Sequence, residues 1–132
     1  MNRTLKTSIA KVILLADDFL RIEYEPGSEI DLVHLEENLQ AYEQLLGSRR
    51  FYLLSVTSPD VTITPRARNF WGARKRSSVK IAEAFVIKNT AQMLIANFVM
   101  RFQPSEHEVK FFNNEKRAVG WIYSLRKNAI KK

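Results

Sequence analysis

The chain has 132 residues, 45% of them hydrophobic and 27% charged, with no cysteine and a formal net charge of +7. Its length suits one domain with a single sizeable core, and its composition excludes a chain that is disordered throughout. The lack of cysteine excludes disulfides, thiolate nucleophiles and zinc ribbons, and makes a reducing, cytoplasmic setting the default expectation.

No apolar run reaches the length of a membrane-spanning helix. Arg3, Lys6 and Lys11 precede the apolar run 12–16, a superficial signal-peptide pattern. That run is short, stops at Asp17-Asp18 and lacks a small-residue cleavage site, so it reads as a strand.

Charge is unevenly placed. Residues 1–48 hold four Lys or Arg and nine Asp or Glu, whereas residues 49–132 hold seventeen and five. Between Asp60 and Glu83 there are six basic residues and no acid. Such a field favours anionic partners, and it also serves solubility.

In chain order, residues 1–8 are polar and expected to be loose. Runs 9–15 and 19–24 form a β-hairpin around the Asp17-Asp18 turn, closed by Pro26-Gly27. Asp31 is the N-cap of the first helix, with Ile30 and Leu35 at staple spacing. Leu32, Leu35, Leu39, Tyr42 and Leu46 make its apolar face, and Gly47 stops it. His34 has only Glu37 and Asn38 at helical spacing, which is too little for a metal site, and reads as a surface histidine.

Run 51–57 is apolar almost throughout, as expected of a central strand covered on both faces. After a loop, Thr64 and Pro65 read as N-cap and first position of a second helix. Ala67, Phe70, Trp71 and Arg74 share one face of it, and Arg68, Lys75 and Arg76 the other. Arg74 on an apolar face points to fraying after Gly72. Run 81–87 is another buried strand. Asn89 caps a helix over 90–102 that is apolar nearly all round, which suits deep burial, a dimer contact or a ligand cavity. Pro104 ends it. A strand at 109–112 follows, then a helix capped by Asn113 with Ala118, Trp121, Ile122 and Leu125 facing the core. The tail 126–132 is expected to fray.

The order ββαβαβαβα implies a mostly parallel five-stranded sheet with right-handed crossovers, an antiparallel N-terminal hairpin and four helices. From residue 95 the chain reads Ile-Ala-Asn-Phe-Val-Met-Arg-Phe-Gln-Pro, and from residue 109 Val-Lys-Phe-Phe-Asn-Asn-Glu-Lys-Arg-Ala-Val-Gly-Trp-Ile. With these segments and this order, over roughly residues 9–127, the chain resembles the SpoIIAA-like (STAS) domains. It is most similar to the small stand-alone bacterial proteins of that fold whose function is unknown. The resemblance implies an α/β domain, not a reaction. In anti-sigma-factor antagonists a phosphorylatable serine sits in an Asp-Ser motif opening the helix after the third strand. Here that place falls at Ile63-Thr64-Pro65 and the pair is absent. Thr64 offers a hydroxyl, and reads first as an N-cap.

The inventory does not favour catalysis. There are two histidines, His107 lies between Glu106 and Glu108, and the four glycines are too scattered for a phosphate loop. The chain is therefore read as a non-catalytic regulatory or protein-interaction module without a cofactor or metal. Its basic face is Arg66, Arg68, Arg74, Lys75 and Arg76, with Thr64 and Trp71; a plain solvated face over core aromatics is the competing reading. Met93, Ala96, Asn97, Val99 and Met100 form a candidate interface for a protein partner or a homodimer. One alternative is a carrier of a lipid or other apolar anionic ligand through helix 90–102. Another is nucleic-acid binding through 66–76, although no known nucleic-acid motif is present.

Overall fold

A computed structural model describes residues 3–73, 80–88 and 108–131. Its strands are β1 (Thr4–Lys6), β2 (Ala10–Ala16), β3 (Phe19–Tyr24), β4 (Glu29–Ile30), β5 (Phe51–Val56), β6 (Thr62–Ile63), β7 (Lys80–Val86) and β8 (Glu108–Phe112). Its helices are α1 (Leu32–Leu46), α2 (Pro65–Ala73) and α3 (Glu115–Lys131). The helix expected over 90–102 lies outside the described residues.

The main sheet has the order β1-β2-β3-β5-β7-β8. β1, β2 and β3 run antiparallel in sequence, and β3, β5, β7 and β8 are parallel neighbours. The sheet is thus six-stranded rather than five-stranded. Residues 4–6, expected to be loose, form the edge strand β1: Leu5 stands opposite Val12, and the Leu14 amide donates to the Arg3 carbonyl at 2.8 Å. A separate parallel pair, β4 with β6, was also not foreseen.

Strand alternation sorts the core into two layers. Leu20, Ile22 and Tyr24 of β3 join Phe51 and Leu53 of β5 beneath Ala41, Tyr42, Leu45 and Leu46 of α1. Phe19, Tyr52, Leu54 and Val56 join Ala82, Ala84 and Val86 on the opposite face, under Ala118 and Ile122 of α3. All six residues of β5 are buried, as its unbroken apolar run requires. The alanines of β7 let α3 lie close to the sheet.

Ion pairs pin α3 at both ends to the first parallel strand and its turn. Arg21 meets Glu115 at 2.8 and 3.1 Å, and Arg126 meets Asp18 at 2.8 Å. The helix continues through Lys131, where fraying was expected from residue 126. Its first cap is Asn114, one residue later than expected, whose Oδ1 accepts the Arg117 amide at 3.0 Å. In α1 the buried side is Asn38, Ala41, Tyr42, Leu45 and Leu46, so Leu35 and Leu39 sit at its margin. The face is turned because Asn38 has a buried partner: its Nδ2 donates to the Tyr24 hydroxyl at 3.0 Å. Gly47 ends α1 with φ of 65° and donates its amide to the Glu43 carbonyl at 2.6 Å.

Candidate functional site at the start of α2

The short β4–β6 ladder sets the site. Glu29 pairs with Thr62 and Ile30 with Ile63, and each strand runs straight into a helix. Parallel pairing therefore brings the two N-caps, Asp31 and Thr64, side by side although they are far apart in sequence. The Thr64 amide donates to the Ile30 carbonyl at 2.9 Å and extends the ladder by one bond. The two segments share a pattern, Glu-Ile-Asp and Thr-Ile-Thr, in which a buried or half-buried isoleucine precedes a capping residue.

Asp31 is the centre of the site. Its Oδ1 accepts the Leu32 amide at 2.8 Å, the Thr64 hydroxyl at 2.8 Å and Arg66 Nε at 2.7 Å; its Oδ2 accepts Arg66 Nη2 at 2.6 Å. The bidentate Arg66 guanidinium, followed by the Leu32 amide and the Thr64 hydroxyl, holds the Asp31 carboxyl well below the usual carboxylate range. Arg66 is raised in turn, chiefly by its bonds to Asp31. His34 completes a capping box: its Nδ1 accepts the Asp31 amide at 2.8 Å, the role a Glu or Gln usually takes. That arrangement uses Nδ1 as the acceptor and gives His34 a structural part that periodicity did not show.

Thr64 does what its sequence position implies. Its Oγ1 accepts the Ala67 amide at 3.2 Å while its proton points to Asp31. A phosphate on this oxygen would stand against the Asp31 carboxylate and would displace the cap. Ala67 is fully buried, Phe70 half-buried and Asn69 exposed, so α2 presents an outer edge and buries the other.

The structure brings Thr64 and Arg66 together and leaves the Arg66 side chain 69% exposed. Arg68, expected on the outer face, is half-buried. Trp71 lies in the last turn of α2, but its side chain falls outside the described residues. So do Arg74, Lys75, Arg76, His107 and the candidate interface Met93, Ala96, Asn97, Val99 and Met100. Lys80, one of the six basic residues between Asp60 and Glu83, is not on this surface. It is 9% exposed and pairs with buried Glu83 at 3.3 Å.

That pair lies in a polar patch under α1, with Lys80 Nζ 5.9 Å from the Tyr42 ring centre. Burial first, then the Glu83 charge, pushes the Tyr24 phenol far up; burial, Tyr24 and Glu83 do the same to Tyr42. Both phenols stay protonated through the ordinary pH range, which suits structural groups. Among the described residues no cluster of three His, Asp or Glu is disposed to hold a metal ion, and no helix is long and apolar enough to cross a membrane.

The Asp31 node has a pH signature. A carboxyl lowered by folding stabilises the native state above its unfolded value, about 3.9, and that contribution fades as pH falls towards the folded value. The melting temperature should therefore drop on acidification below about pH 4. Glu115, lowered chiefly by Arg21, acts in the same direction. Asp31→Asn should have a lower melting temperature at neutral pH and a shallower acid slope than the parent, measured by thermal scans from neutral pH downwards. Parallel curves would show that the carboxylate is not held.

Comparison with known proteins places the fold and the family of the chain. A solved structure of an uncharacterized protein of the DUF3478 family with a SpoIIAA-like fold, from Shewanella loihica PV-4, is similar to this chain. The similarity covers 92% of each chain, with a TM-score of 0.56 and 14% sequence identity. At that identity the likeness shows the fold alone, and the fold agrees with the expected α/β domain of mostly parallel sheet and N-terminal antiparallel hairpin. No curated protein matches. The sequence itself matches the family described as a domain of unknown function, DUF7793, over residues 13–126. A SpoIIAA-like α/β domain with a six-stranded mixed sheet and a separate two-stranded ladder, this chain belongs to the DUF7793 family.

Proposed function

We propose that the chain is a non-catalytic regulatory or protein-interaction module that meets an anionic protein surface along the edge of α2. The observation that carries this is the rigid junction of the two helix starts. One carboxylate, Asp31, fixes both caps and orients the exposed Arg66. A surface held in this way loses little freedom on binding. The same node argues against catalysis: Asp31 is engaged by three donor groups and Thr64 by its cap, so neither serves as a free base or nucleophile. Arg66 is paired bidentately with Asp31, which offsets its charge while leaving the side chain exposed. The anion-facing charge of the proposed surface then rests on Arg66 together with Arg74, Lys75 and Arg76.

Charge reversal tests this reading. A fluorescent acidic peptide should bind in a salt-sensitive way, and the triple variant Arg74→Glu/Lys75→Glu/Arg76→Glu should weaken it by about tenfold or more. Unchanged affinity in that variant would overturn the assignment to α2. Tighter binding of a single-stranded oligonucleotide than of the peptide would replace it with nucleic-acid recognition.

A further inference from the structure

Away from the α2 edge, two helix faces are exposed among the described residues, and they carry opposite charge. Residues 25–46 contain six acids (Glu25, Glu29, Asp31, Glu36, Glu37 and Glu43) and no Lys or Arg. Residues 116–131 contain five basic residues (Lys116, Arg117, Arg126, Lys127 and Lys131) and no acid. On α1 the positions Val33, Glu36, Gln40 and Glu43 are all exposed and fall on one stripe by helical spacing. On α3, Lys116, Gly120, Tyr123 and Lys127 do the same.

Each stripe also carries one large apolar side chain in water. Val33 is 56% exposed and Tyr123 is 50% exposed, and they are the exposed large hydrophobics among the described residues. Tyr123 is held in place: Phe19 meets its ring edge-on at 5.7 Å, and Arg126, itself paired with Asp18, lies 5.6 Å from the ring centre. One turn away, exposed Gly120 has no side chain, and a Cβ built on it would meet open space, so nothing there stands in the way of an approaching surface.

We infer that the acidic stripe of α1 on one copy docks against the basic stripe of α3 on a second copy, with Val33 seated beside Tyr123 and Gly120. A nucleic acid would account for the charge on α3, but not for the matching acidic stripe and its exposed valine on α1. α1 and α3 cover opposite faces of the sheet. The contact is therefore heterologous: each copy offers one surface of each kind, and association continues head to tail rather than closing as a two-fold dimer. These stripes are separate from the α2 edge, so the inference does not depend on the proposed function, and its failure leaves that reading untouched.

Sedimentation velocity on the full chain over a range of concentrations tests it. At about 50 mM salt the weight-average mass should climb with concentration past that of a dimer, and at about 500 mM the association should weaken at least tenfold. Glu36→Lys/Glu43→Lys and Lys116→Glu/Lys127→Glu should each stay monomeric alone, with circular dichroism and melting temperature near those of the parent. An equal mixture of the two should associate again, because each supplies the charge the other lacks. A parent chain that stays monomeric at low salt would overturn the inference. So would a dimer that grows no further, association that survives both reversals, or a mixture that stays monomeric.

Discussion

Lys80→Met should destabilise the domain by about 3–5 kcal/mol, a fall in melting temperature on the order of 10–20 °C. Lys80 and Glu83 are both almost wholly buried, 3.3 Å apart, and are the first and fourth residues of β7, an inner strand of the parallel part of the sheet. Removing the cation takes the countercharge 3.3 Å away from the buried Glu83 carboxyl, in the layer it shares with Tyr24 and Tyr42, and burying a carboxyl without that countercharge is costly whether it stays charged or not. Adding Glu83→Leu to Lys80→Met should recover most of the loss, since an apolar pair of similar volume needs no desolvation of charge. Denaturant titration of the single and double variants checks this. Additive losses would mean that the two groups do not act as a pair.

Phe19→Ala should cost about 3–5 kcal/mol by leaving a cavity beneath α3. Phe19 has no exposed surface, opens the first parallel strand and meets Tyr123 edge-on. It sits beside the Asp18–Arg126 pair that fastens one end of α3. Loss of the ring should therefore loosen that end first. Hydrogen exchange should show faster exchange towards the C-terminal end of α3 than around Glu115, where Arg21 still holds. Equal protection along the helix would contradict the two-point attachment.

What the sequence shows is local. Strand β5, the Asp17-Asp18 turn, both helix caps at Asp31 and Thr64, and the Gly47 stop each rest on a few adjacent residues, and each appears where expected. What it hides is pairing at a distance. β1 is too short to carry a period, so nothing in residues 4–6 distinguishes an edge strand from a loose start. The Asp31–Arg66 contact joins residues 35 apart through a two-strand ladder of two residues each. Lys80 counted only as one more charge in the basic run between Asp60 and Glu83, because its partner, Glu83, lies inside what looked like an ordinary strand. The tail of α3 read as frayed because its anchor is Asp18, at the other end of the chain. In each case the missing information was the neighbour, not the propensity.

The fold places several candidate surfaces around one sheet, so the most direct measurement is one that locates binding. Titrating an acidic peptide into the isotopically labelled chain and following its backbone amide spectra does this residue by residue. The amides shifting most should lie along residues 64–76, from Thr64 at the start of α2 through Arg74, Lys75 and Arg76, and across the node at Asp31 and Leu32. Shifts confined to α3, or to no part of the chain, would contradict it.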